Sequence, residues 1–390
     1  MRVLFTSLPA IGHLHSLLPL AVASRIAGHE VAICTAESLG SIVASHGLRH
    51  LPGGADSLAE LMGPDLPRDP VRRAVWVARE VFAKAAPDRL MPDVRAQASA
   101  WRPDLIVRES TEFAGCLLAE QAGLPHVAIA TGSRSARLDD VRRFAASLPD
   151  LRARHGLDPD PDHAMHTRHM TISFVPARWD GDAPLPATLR QFRFEPPPSR
   201  EALLTEMPDG TCPIVLAALG TLFHGSAGLL EAIIEALGTL PVDAIVAAGR
   251  GHDPARFAGA PANVTVVDWV PQLEVLARTA LFVTHGGFNS TKEALSLGVP
   301  LVVIPIGADQ FYTAERVEAL GLGRSIGPED RRASAIRQTV AEVMASDLHR
   351  RRAAEFAAEM AALPPIDEAV VALEGLVAGW RTSSAAPTLN

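Results

Sequence analysis

Two widely separated stretches of this chain follow one plan, in which a short apolar strand, a loop, a helix and a second apolar strand succeed each other. The first stretch covers residues 2–35, with a helix predicted from about Ser16 to Ala27. The second covers residues 213–248, with a helix predicted over about 227–237. A strand–helix–strand unit joins two parallel strands and covers their sheet with the helix. The repeated plan therefore predicts an α/β protein in which each half is built on a Rossmann-like parallel sheet.

Chain length and one proline-rich stretch indicate where the domains divide. A chain of 390 residues that is 48% hydrophobic can bury two cores, which favours two domains over one. Prolines cluster over residues 182–198, which is typical of a linker. We therefore expect an N-terminal domain over residues 1–195, a linker over 196–211 and a C-terminal domain over 212–365, followed by an amphipathic helix over about 366–385.

Composition and charge exclude several classes of partner. A net charge of −8 argues against nucleic acid and anionic membranes. The cysteines Cys34, Cys116 and Cys212 are few, odd in number and widely spaced, so they predict neither a disulfide framework nor a metal cluster, and they favour a cytoplasmic location. We expect neither a signal peptide nor a membrane span, because the apolar runs are short. Neither half has G-x-G-x-x-G after its first strand, which argues against a nicotinamide dehydrogenase.

The most informative stretch is residues 269–310, where glycines interrupt an apolar strand–helix–strand pattern. The run Ala280–Thr284 predicts a buried strand, and a helix over about Asn289–Leu297 precedes a second apolar run, Leu301–Ile304. Gly286–Gly287 falls at the turn between strand and helix. Glycines at such a turn let backbone N–H groups approach a phosphate, and the helix N-terminus adds a favourable dipole. The pattern predicts a site for a nucleotide diphosphate.

Side chains around this turn suit the other parts of a nucleotide. His285 and Ser290 flank the turn as further hydrogen-bond donors. Asn289 and Glu293 are four residues apart and share one helix face, which suits contacts with a ribose. The flat, apolar face of Trp269 suits a pyrimidine base.

This stretch resembles the donor-binding signature of family 1 glycosyltransferases, which use nucleotide-activated sugars and invert the anomeric centre. Phe288 stands where plant members usually have tryptophan, and this departure fits a bacterial member. An ordinary strand–helix–strand unit would explain the glycines and apolar runs but not the whole ordered set. The elements that match in order are Trp-Val-Pro-Gln at 269–272, His-Gly-Gly-Phe-Asn-Ser at 285–290, Glu293, Gly-Val-Pro at 298–300 and Asp309-Gln310.

The resemblance implies the GT-B fold, with two facing Rossmann-like domains, parallel sheets and a cleft between them. It implies that the N-terminal domain binds the acceptor and the C-terminal domain binds the nucleotide sugar, which serves as co-substrate without a cofactor or a metal ion. In the family, the matched positions stack the base, hold the diphosphate, bind the ribose and bind the sugar hydroxyls. The donor-binding residues implied here are Gly220, Thr221, Trp269, Val270, Gln272, His285, Gly286, Gly287, Asn289, Ser290, Glu293, Asp309 and Gln310.

The candidate catalytic base is His13, in the predicted loop between the first strand and the first helix. Ligands of open α/β folds bind at the carboxyl ends of parallel strands. A hydroxyl that attacks an anomeric carbon must lose its proton, and imidazole suits this task because its pKa lies near the working pH. The resemblance implies the same role, because Gly12-His13 occupies the position of the family's base. His15 is the competing candidate, and we favour it as a packing or acceptor-contact residue.

A base of this kind often needs a carboxylate to orient it. The family frequently supplies one from a later strand end, where Arg108 stands at the usual aspartate position and Glu109 follows. Three interpretations stay open: Glu109 orients His13, Glu112 does so, or the histidine acts without a carboxylate. A structural ion pair between Arg108 and Glu109 is a further interpretation.

A histidine-rich segment raises the question of a metal site. His163, His166 and His169 are spaced like metal ligands, and residues 158–162 contain a D-x-D pattern. The segment is proline-rich, is predicted to be an exposed loop, and does not follow a buried strand as a metal-bound diphosphate site requires. We therefore predict no metal site.

These observations predict an inverting glycosyltransferase that moves a sugar from a TDP- or UDP-sugar to a hydroxyl of a hydrophobic natural product. The link to antibiotic and secondary metabolism comes from overall resemblance alone. Alternatives are a detoxifying glucosyltransferase of flavonoid-like or macrolide compounds, a non-catalytic activator of another glycosyltransferase, and a nucleotide-sugar epimerase or hydrolase. The acceptor-binding residues are unknown, because the segments 53–95 and 130–170 contain no motif with a mechanism. A homodimer is left open.

Overall fold

The structure of the protein is a computed structural model that describes residues 1–137, 144–197, 212–220, 228–249 and 254–383. Two sequence predictions concern residues outside these ranges. Thr221, a predicted donor contact, lies outside the described residues, and so do residues 198–211 of the predicted linker.

The chain divides into two compact units. Unit one comprises Met1–Pro197 together with Leu363–Asn390. Unit two comprises Pro198–Ala362. The end of the chain therefore belongs to the same unit as its beginning.

Unit one is built on a parallel sheet. Its described strands are β1 (Arg2–Thr6), β2 (Glu30–Thr35), β3 (Arg49–Pro52), β4 (Leu105–Glu109), β5 (His126–Ile129), β6 (Met170–Ser173) and β7 (Leu189–Gln191). They form a sheet of order β3-β2-β1-β4-β5-β6-β7, and every paired strand is parallel to its neighbour. The direction of strand order reverses between β1 and β4. In doubly wound folds this switch point is where the carboxyl ends of the strands open a ligand site.

Helices cover both faces of this sheet, which is why apolar residues occupy successive positions in its central strands β1, β2 and β4. Leu105, Ile106 and Val107 of β4 are fully buried and contribute to cores on opposite faces. A π-helical segment, Val77–Ala85, connects two of the helices. The helices are α1 (Ile11–Ile26), α2 (Gly40–Ser45), α3 (Leu58–Leu61), α4 (Pro70–Trp76), α5 (Ala86–Trp101), α6 (Ala114–Ala122) and α7 (Leu148–Arg154).

Unit two repeats the architecture with fewer described strands. These are β8 (Ile214–Ala218), β9 (Asp243–Ala247), β10 (Val264–Val267), β11 (Thr279–Thr284), β12 (Leu301–Val303) and β13 (Gly323–Ser325). The sheet order is β10-β9-β8-β11-β12-β13, all parallel, with a switch point between β8 and β11. The helices are α8 (Leu229–Gly238), α9 (Gln272–Leu276), α10 (Phe288–Ser296), α11 (Gln310–Ala319), α12 (Ala333–Ala345) and α13 (Asp347–Ala362).

The last helix, α14 (Ile366–Ser383), returns to unit one and packs against α1. Its apolar residues Val370 and Leu373 are buried in the core that also contains Leu14 and Leu17 of α1. The approach to α14 is fixed by the backbone N–H of Arg193, which donates to the carbonyl of residue 364 at 2.7 Å.

The prediction of two Rossmann-like parallel-sheet halves is confirmed, but the predicted start of the first helix is wrong. Helix α1 begins at Ile11 and not near Ser16, so His13 lies in the first turn of a helix and not in a loop. Gly12 obscured this start because glycine is a poor helix former, yet the Ala10 carbonyl accepts hydrogen bonds from the N–H groups of His13 and Leu14.

Candidate active site

His13 and Glu109 come from the two strands that flank the switch point of unit one. His13 follows β1, in the first turn of α1, and Glu109 is the last residue of β4. Nδ1 of His13 lies 3.0 Å from Oε1 of Glu109. The glutamate side chain is fully buried, whereas 19% of the histidine side chain is exposed. With the Nδ1 hydrogen directed at the carboxylate, the lone pair of the neutral ring belongs to Nε2.

Thr111 holds the same carboxylate from its other side. Its backbone N–H donates to Oε2 of Glu109 at 2.7 Å, and its hydroxyl donates to the same oxygen at 2.8 Å. Burial by itself raises the pKa of Glu109, but the charge and hydrogen bond of His13 and the donors of Thr111 together hold that pKa below its ordinary value. Glu109 is therefore an ionised carboxylate in contact with the imidazole.

Arg108 binds backbone oxygens and does not pair with Glu109. Its buried guanidinium donates to carbonyl groups and not to the carboxylate of that residue. The distances are 2.9 Å to the carbonyl of Ser110, 3.1 Å to that of Glu112 and 2.7 Å to that of His166. The interpretation of Arg108 and Glu109 as a structural ion pair is wrong, because successive residues of a strand point to opposite faces.

Glu112 is also fully buried but serves the start of α6. It accepts hydrogen bonds from the hydroxyl of Thr6 and from the backbone N–H groups of Ala114 and Gly115. Burial raises the pKa of Glu112 to about 7, against the opposing effects of the Thr6 hydrogen bond and the positive charge of Arg108. Of the three interpretations of the orienting carboxylate, the geometry favours Glu109.

An apolar surface lies beside the His13 ring. The ring centroid of Phe82, in the π-helical segment, is 5.9 Å from that of His13, in an edge-to-face arrangement. Phe82 and Trp76 are partly buried against a small apolar core that includes Leu8 and Val81. π-Helical turns are frequent at functional sites. His15, the competing base, is exposed on the same helix as His13.

The carboxyl ends of β8 and β11, which flank the switch point of unit two, carry Gly220 and His285. The His285 ring packs between two glycines: a Cβ at Gly220 would lie 2.6 Å from the ring, and a Cβ at Gly287 would lie 2.5 Å from it. Gly286 adopts φ +86°, which favours glycine. The ring thus fills the space between Gly220, which follows β8, and the glycine turn ahead of α10.

His285 is neutral at pH 7. Only 7% of the residue is exposed, and burial lowers its pKa to about 4, although the Asp309 carboxylate and a hydrogen bond to the backbone of Ala218 act in the opposite direction. Asp309, predicted to bind the sugar, therefore lies within electrostatic reach of the predicted diphosphate residue.

The loop before α11 carries Asp309 and Gln310. Asp309 occupies the N-cap position, but its side chain makes no capping hydrogen bond. The preceding residue, Ala308, adopts φ +54°, a conformation that is uncommon for a residue with a side chain. Gln310 is buried, and its Oε1 accepts hydrogen bonds from the N–H groups of Ile306 at 2.7 Å and Gly307 at 2.9 Å. Its amide oxygen therefore shapes the loop that carries Asp309.

Three predicted donor residues form a hydrogen-bonded chain. The hydroxyl of Ser290 donates to Oε1 of Gln272 at 3.4 Å, and Nε2 of Gln272 donates to Oε2 of Glu293 at 2.6 Å. Burial raises the pKa of Glu293, against the Gln272 hydrogen bond and the charge of Lys292. Asn289, in the first turn of α10, accepts a hydrogen bond from Lys292.

Trp269 is a surface residue, with 38% of its area exposed, and so it is not part of the core of unit two. It borders a cavity of about 690 Å³ that it shares with Phe257 and Pro261. The neighbouring Val270 is buried. An exposed indole beside open space is suited to stacking on a planar ligand.

The histidine-rich segment is not the exposed loop that the sequence predicted. Met165 and His166 are buried, because Asp160 accepts a hydrogen bond from the backbone N–H of Met165 at 2.7 Å and Arg108 holds the carbonyl of His166. The His169 ring packs against His126, with 4.7 Å between centroids. Among the described residues, no group of three or more His, Cys, Asp or Glu side chains is arranged to hold a metal ion.

Sequence reasoning did not find three residues of this site. Thr111 follows Glu109 by two positions, a spacing at which threonine commonly bonds a neighbouring side chain or backbone group, and that signal was available. No motif in the sequence contains Phe82, which is a single aromatic residue, or Lys292, which is a single basic residue.

Comparisons with known proteins identify the family of the chain. Two family models match the chain: "Erythromycin biosynthesis protein CIII-like, N-terminal domain" over residues 72–188 and the corresponding C-terminal domain over residues 231–376. L-demethylnoviosyl transferase of Streptomyces niveus is 32% identical over 99% of this chain and 100% of its own length. The 3-alpha-mycarosylerythronolide B desosaminyl transferase of Saccharopolyspora erythraea is 28% identical over 98% of this chain and 99% of its own length.

Solved structures share the fold. A crystal structure of the glycosyltransferase VinC in complex with DTDP matches 97% of this chain and 100% of its own, with a TM-score of 0.77 and 25% identity. These matches define the class of protein, which is a sugar-transferring enzyme with the GT-B fold. The chain belongs to the family 1 glycosyltransferases of that class, in the group that contains the natural-product enzymes. No helix within the described residues is long and apolar enough to cross a membrane.

Proposed function

We propose that the protein transfers a sugar from a TDP- or UDP-sugar to a hydroxyl of a hydrophobic small molecule. The acceptor oxygen attacks the anomeric carbon from the side opposite the diphosphate. A new C–O bond forms as the bond to the leaving phosphate oxygen breaks, and the proton of the hydroxyl passes to a base. One displacement inverts the anomeric configuration, and no covalent enzyme intermediate forms.

His13 is the base in this proposal, and the observation that carries it is the 3.0 Å hydrogen bond to Glu109. That bond holds the ring with Nε2 as the proton acceptor. When Nε2 takes the proton, the ionised carboxylate stabilises the resulting imidazolium. Glu109 acts as a positioning residue, and Thr111 holds it in place.

On the donor side, we propose that exposed Trp269 stacks on the base with Val270 beside it. The chain of Ser290, Gln272 and Glu293 binds the ribose, because it presents hydroxyl, amide and carboxylate groups in a fixed arrangement. Asp309 binds the sugar hydroxyls, and Gln310 supports its loop. The relative VinC, crystallised with DTDP, supports a thymidine nucleotide as one donor.

The turn from His285 to Ser290 holds the diphosphate. Negative charge grows on this group as it leaves, and the backbone N–H groups of the glycine turn and the N-terminus of α10 balance that charge. We propose that this arrangement takes the place of a metal ion. Gly220 contributes by leaving room for the His285 ring.

The acceptor is proposed to be apolar because Phe82 packs edge-to-face against the ring of the base, and Phe82 and Trp76 pack against the same small apolar core. The names of the two transferases above, which act in natural-product chemistry, support the same acceptor class. Buried, unpaired Cys34 and Cys116 support a reducing, cytoplasmic location.

Turnover assays test the proposal directly. TDP-glucose and UDP-glucose, both α-linked, are each incubated with the protein, with and without a phenolic or macrolide alcohol. We expect acceptor-dependent release of nucleotide diphosphate and a β-glycoside by NMR. An α-glycoside would contradict the mechanism. Diphosphate release without acceptor would indicate a hydrolase, and a rearranged donor sugar without release would indicate an epimerase.

A further inference from the structure

A cavity of about 390 Å³ opens on the outer face of α4 and the start of the π-helical segment. The opposite face of the same stretch packs inward, because Ala78 and Val81 are buried in two cores of unit one. The charged residues of the cavity have no role in the reaction derived above. The lining residues are Pro67, Arg72, Val75, Trp76, Arg79 and Glu80.

The two arginines of the cavity are not used by the fold. Arg72 bonds the Asp69 side chain through its backbone N–H, at 2.8 Å. Among the described residues, the guanidinium groups of Arg72 and Arg79 make no hydrogen bond, ion pair or ring contact. The guanidinium of Arg73, by contrast, lies outside the cavity and donates to two backbone carbonyl groups of the preceding loop, at 2.8 and 3.1 Å. Two cationic groups that border the cavity are therefore available to a ligand.

The charge of the cavity is positive, although the whole chain has a net charge of −8. Glu80 is the acidic residue of the lining, and its carboxylate accepts a hydrogen bond from Nζ of Lys84 at 3.1 Å, which offsets its charge. Arg72 and Arg79 leave a positive excess. A guanidinium group presents a planar fork of donors that matches a carboxylate, so the lining favours a ligand with a carboxylate group.

The rest of the lining is apolar and leads towards the base. Val75 is 43% exposed, which is unusual for a large apolar residue unless something covers it. Trp76 packs on the same small apolar core as Phe82, and the ring centroid of Phe82 lies 5.9 Å from that of His13. The cavity and the base therefore border one apolar cluster. The volume of the cavity lies within the range of small-molecule sites, about 300–1,000 Å³.

We propose that this cavity binds the acceptor and that the acceptor is an acid, with an apolar ring system and a carboxylate. Arg72 and Arg79 bind the carboxylate, and Val75 and Trp76 contact the rings. This inference rests on the proposed function, because it takes the molecule in the cavity to be the one whose hydroxyl His13 deprotonates. The two arginines bind the acceptor away from that hydroxyl, so they determine which acceptor is used and take no part in the chemical step.

The test uses two acceptors that differ only in charge, a hydroxynaphthoic acid with its hydroxyl and carboxyl groups at opposite ends of the rings and the corresponding carboxamide. Binding to the full chain is measured by naphthol fluorescence, and KM is measured for glucose transfer from TDP-glucose and UDP-glucose. We expect the wild type to bind the acid about tenfold more tightly than the amide, the effect of one charge-assisted hydrogen bond. Added salt lowers this ratio, because it screens exposed charges.

Variants assign the preference to the two arginines. R72M and R79M each keep a long side chain without a charge, and the double variant should bring the ratio of acid affinity to amide affinity close to one. R25M is the matched control, because Arg25 is an exposed arginine in the last turn of α1 and does not line the cavity. It should keep the wild-type ratio. Since all three arginines are exposed, the melting temperatures should stay near that of the wild type.

Four outcomes overturn the inference. These are equal affinities for acid and amide in the wild type, a wild-type ratio in the double variant, an equal loss of the ratio in R25M, and an acid that leaves the KM of the amide unchanged when both are present. The proposed function fails separately. If the acid binds with the expected ratio but neither compound is glucosylated, the transfer activity is wrong and the carboxylate site stands. If both are glucosylated with equal KM, the activity stands and this inference is wrong.

Discussion

The two units surround their switch points with the same topology, yet each places a histidine there in a different environment. In unit one, His13 is partly exposed and hydrogen-bonded to the ionised carboxylate of Glu109. In unit two, His285 is buried, neutral and packed between Gly220 and Gly287. A ring with a carboxylate partner and access to solvent is suited to moving a proton. A buried ring that packs between two glycines is suited to holding the backbone N–H groups of the turn in place.

This comparison teaches that topology fixes where a side chain emerges, while its neighbours fix what it does. The same residue type follows the strands in both units, and sequence position alone assigned both histidines to the site. His13 has a buried carboxylate as its neighbour, whereas His285 lies between two glycines, which have no Cβ atom. Substitutions at these neighbours therefore test the comparison as directly as substitutions at the histidines themselves.

The largest effect is expected from His13→Ala. Loss of the general base should lower kcat by about 10²–10⁴-fold while the affinity for nucleotide diphosphate stays unchanged. Single-turnover rates and calorimetric titration separate the two quantities. His15→Ala is the companion variant, and a loss of kcat in it as large as that in His13→Ala would remove the assignment of the base.

The next effect concerns the carboxylate of unit one. Glu109→Gln keeps the shape but removes the charge that stabilises the imidazolium, so kcat should fall about 10²-fold. Glu112→Gln is the matched control, since Glu112 bonds the start of α6, and its kcat should change little while its melting temperature falls. A reversed pattern would transfer the orienting role to Glu112.

On the donor side, Trp269→Ala should weaken nucleotide binding by about 1–3 kcal/mol if the indole stacks on the base. Because Trp269 is exposed, the melting temperature of the variant should stay near that of the wild type. Binding is measured with TDP and UDP and stability by thermal unfolding. A large drop in stability with unchanged affinity would make Trp269 a core residue.

Gly287→Ala probes the packing of His285. The backbone of Gly287 (φ −60°) accepts alanine, so the nearest obstacle to the new Cβ is the His285 ring, at 2.5 Å. We expect roughly tenfold weaker diphosphate binding, of the order of one lost hydrogen bond to a charged group. Adding His285→Ala should make room, so that the double variant binds as His285→Ala alone does. Full additivity would show that the ring does not pack against this turn.

The last effect is a pH dependence of stability. The pKa values of His285 and His126 are both lowered to about 4, mainly by burial, whereas an unfolded histidine titrates near 6.5. The unfolded state therefore binds more protons as the pH falls from about 6.5 to 4, and each histidine then costs stability. Glu112, with its pKa raised to about 7, acts in the opposite direction over the same range, so the wild-type curve alone does not isolate the histidines.

A difference measurement isolates one of them. The free energy of unfolding of the wild type minus that of His126→Gln should shrink by roughly 1–3 kcal/mol as the pH falls from 6.5 to 4. A flat difference for His126→Gln would mean that this ring is not held neutral by burial.

Much of this architecture was predictable from the sequence. Apolar runs bounded by glycine and proline gave the strands 30–35 and 279–284 and the helix over 288–296 to within a few residues, because parallel strands are buried on both faces. From the sequence, the partner of His13 was predicted to be Glu109, Glu112 or no carboxylate at all. The choice between Glu109 and Glu112 depended on which face of the strand end each occupies.

Other features depended on contacts that no local pattern specifies. The start of α1 at Ile11 was hidden by Gly12, and the burial of His166 depends on Arg108, which is distant in the chain. No pattern in the sequence predicts that Lys292 is buried. Its burial follows from how α10 packs against the rest of unit two, which is a property of the tertiary fold.

The return of α14 to unit one has a consequence for how the enzyme is made. A ribosome releases residues in order, and the apolar face that completes the packing of α1 is contributed by Val370 and Leu373, which are synthesised after the whole of unit two. When these residues emerge, unit two has already left the ribosome, and domains generally fold as units during synthesis. The helix that carries His13 therefore reaches its final packing only after unit two has been made, and a chain terminated before α14 is expected to lose that packing.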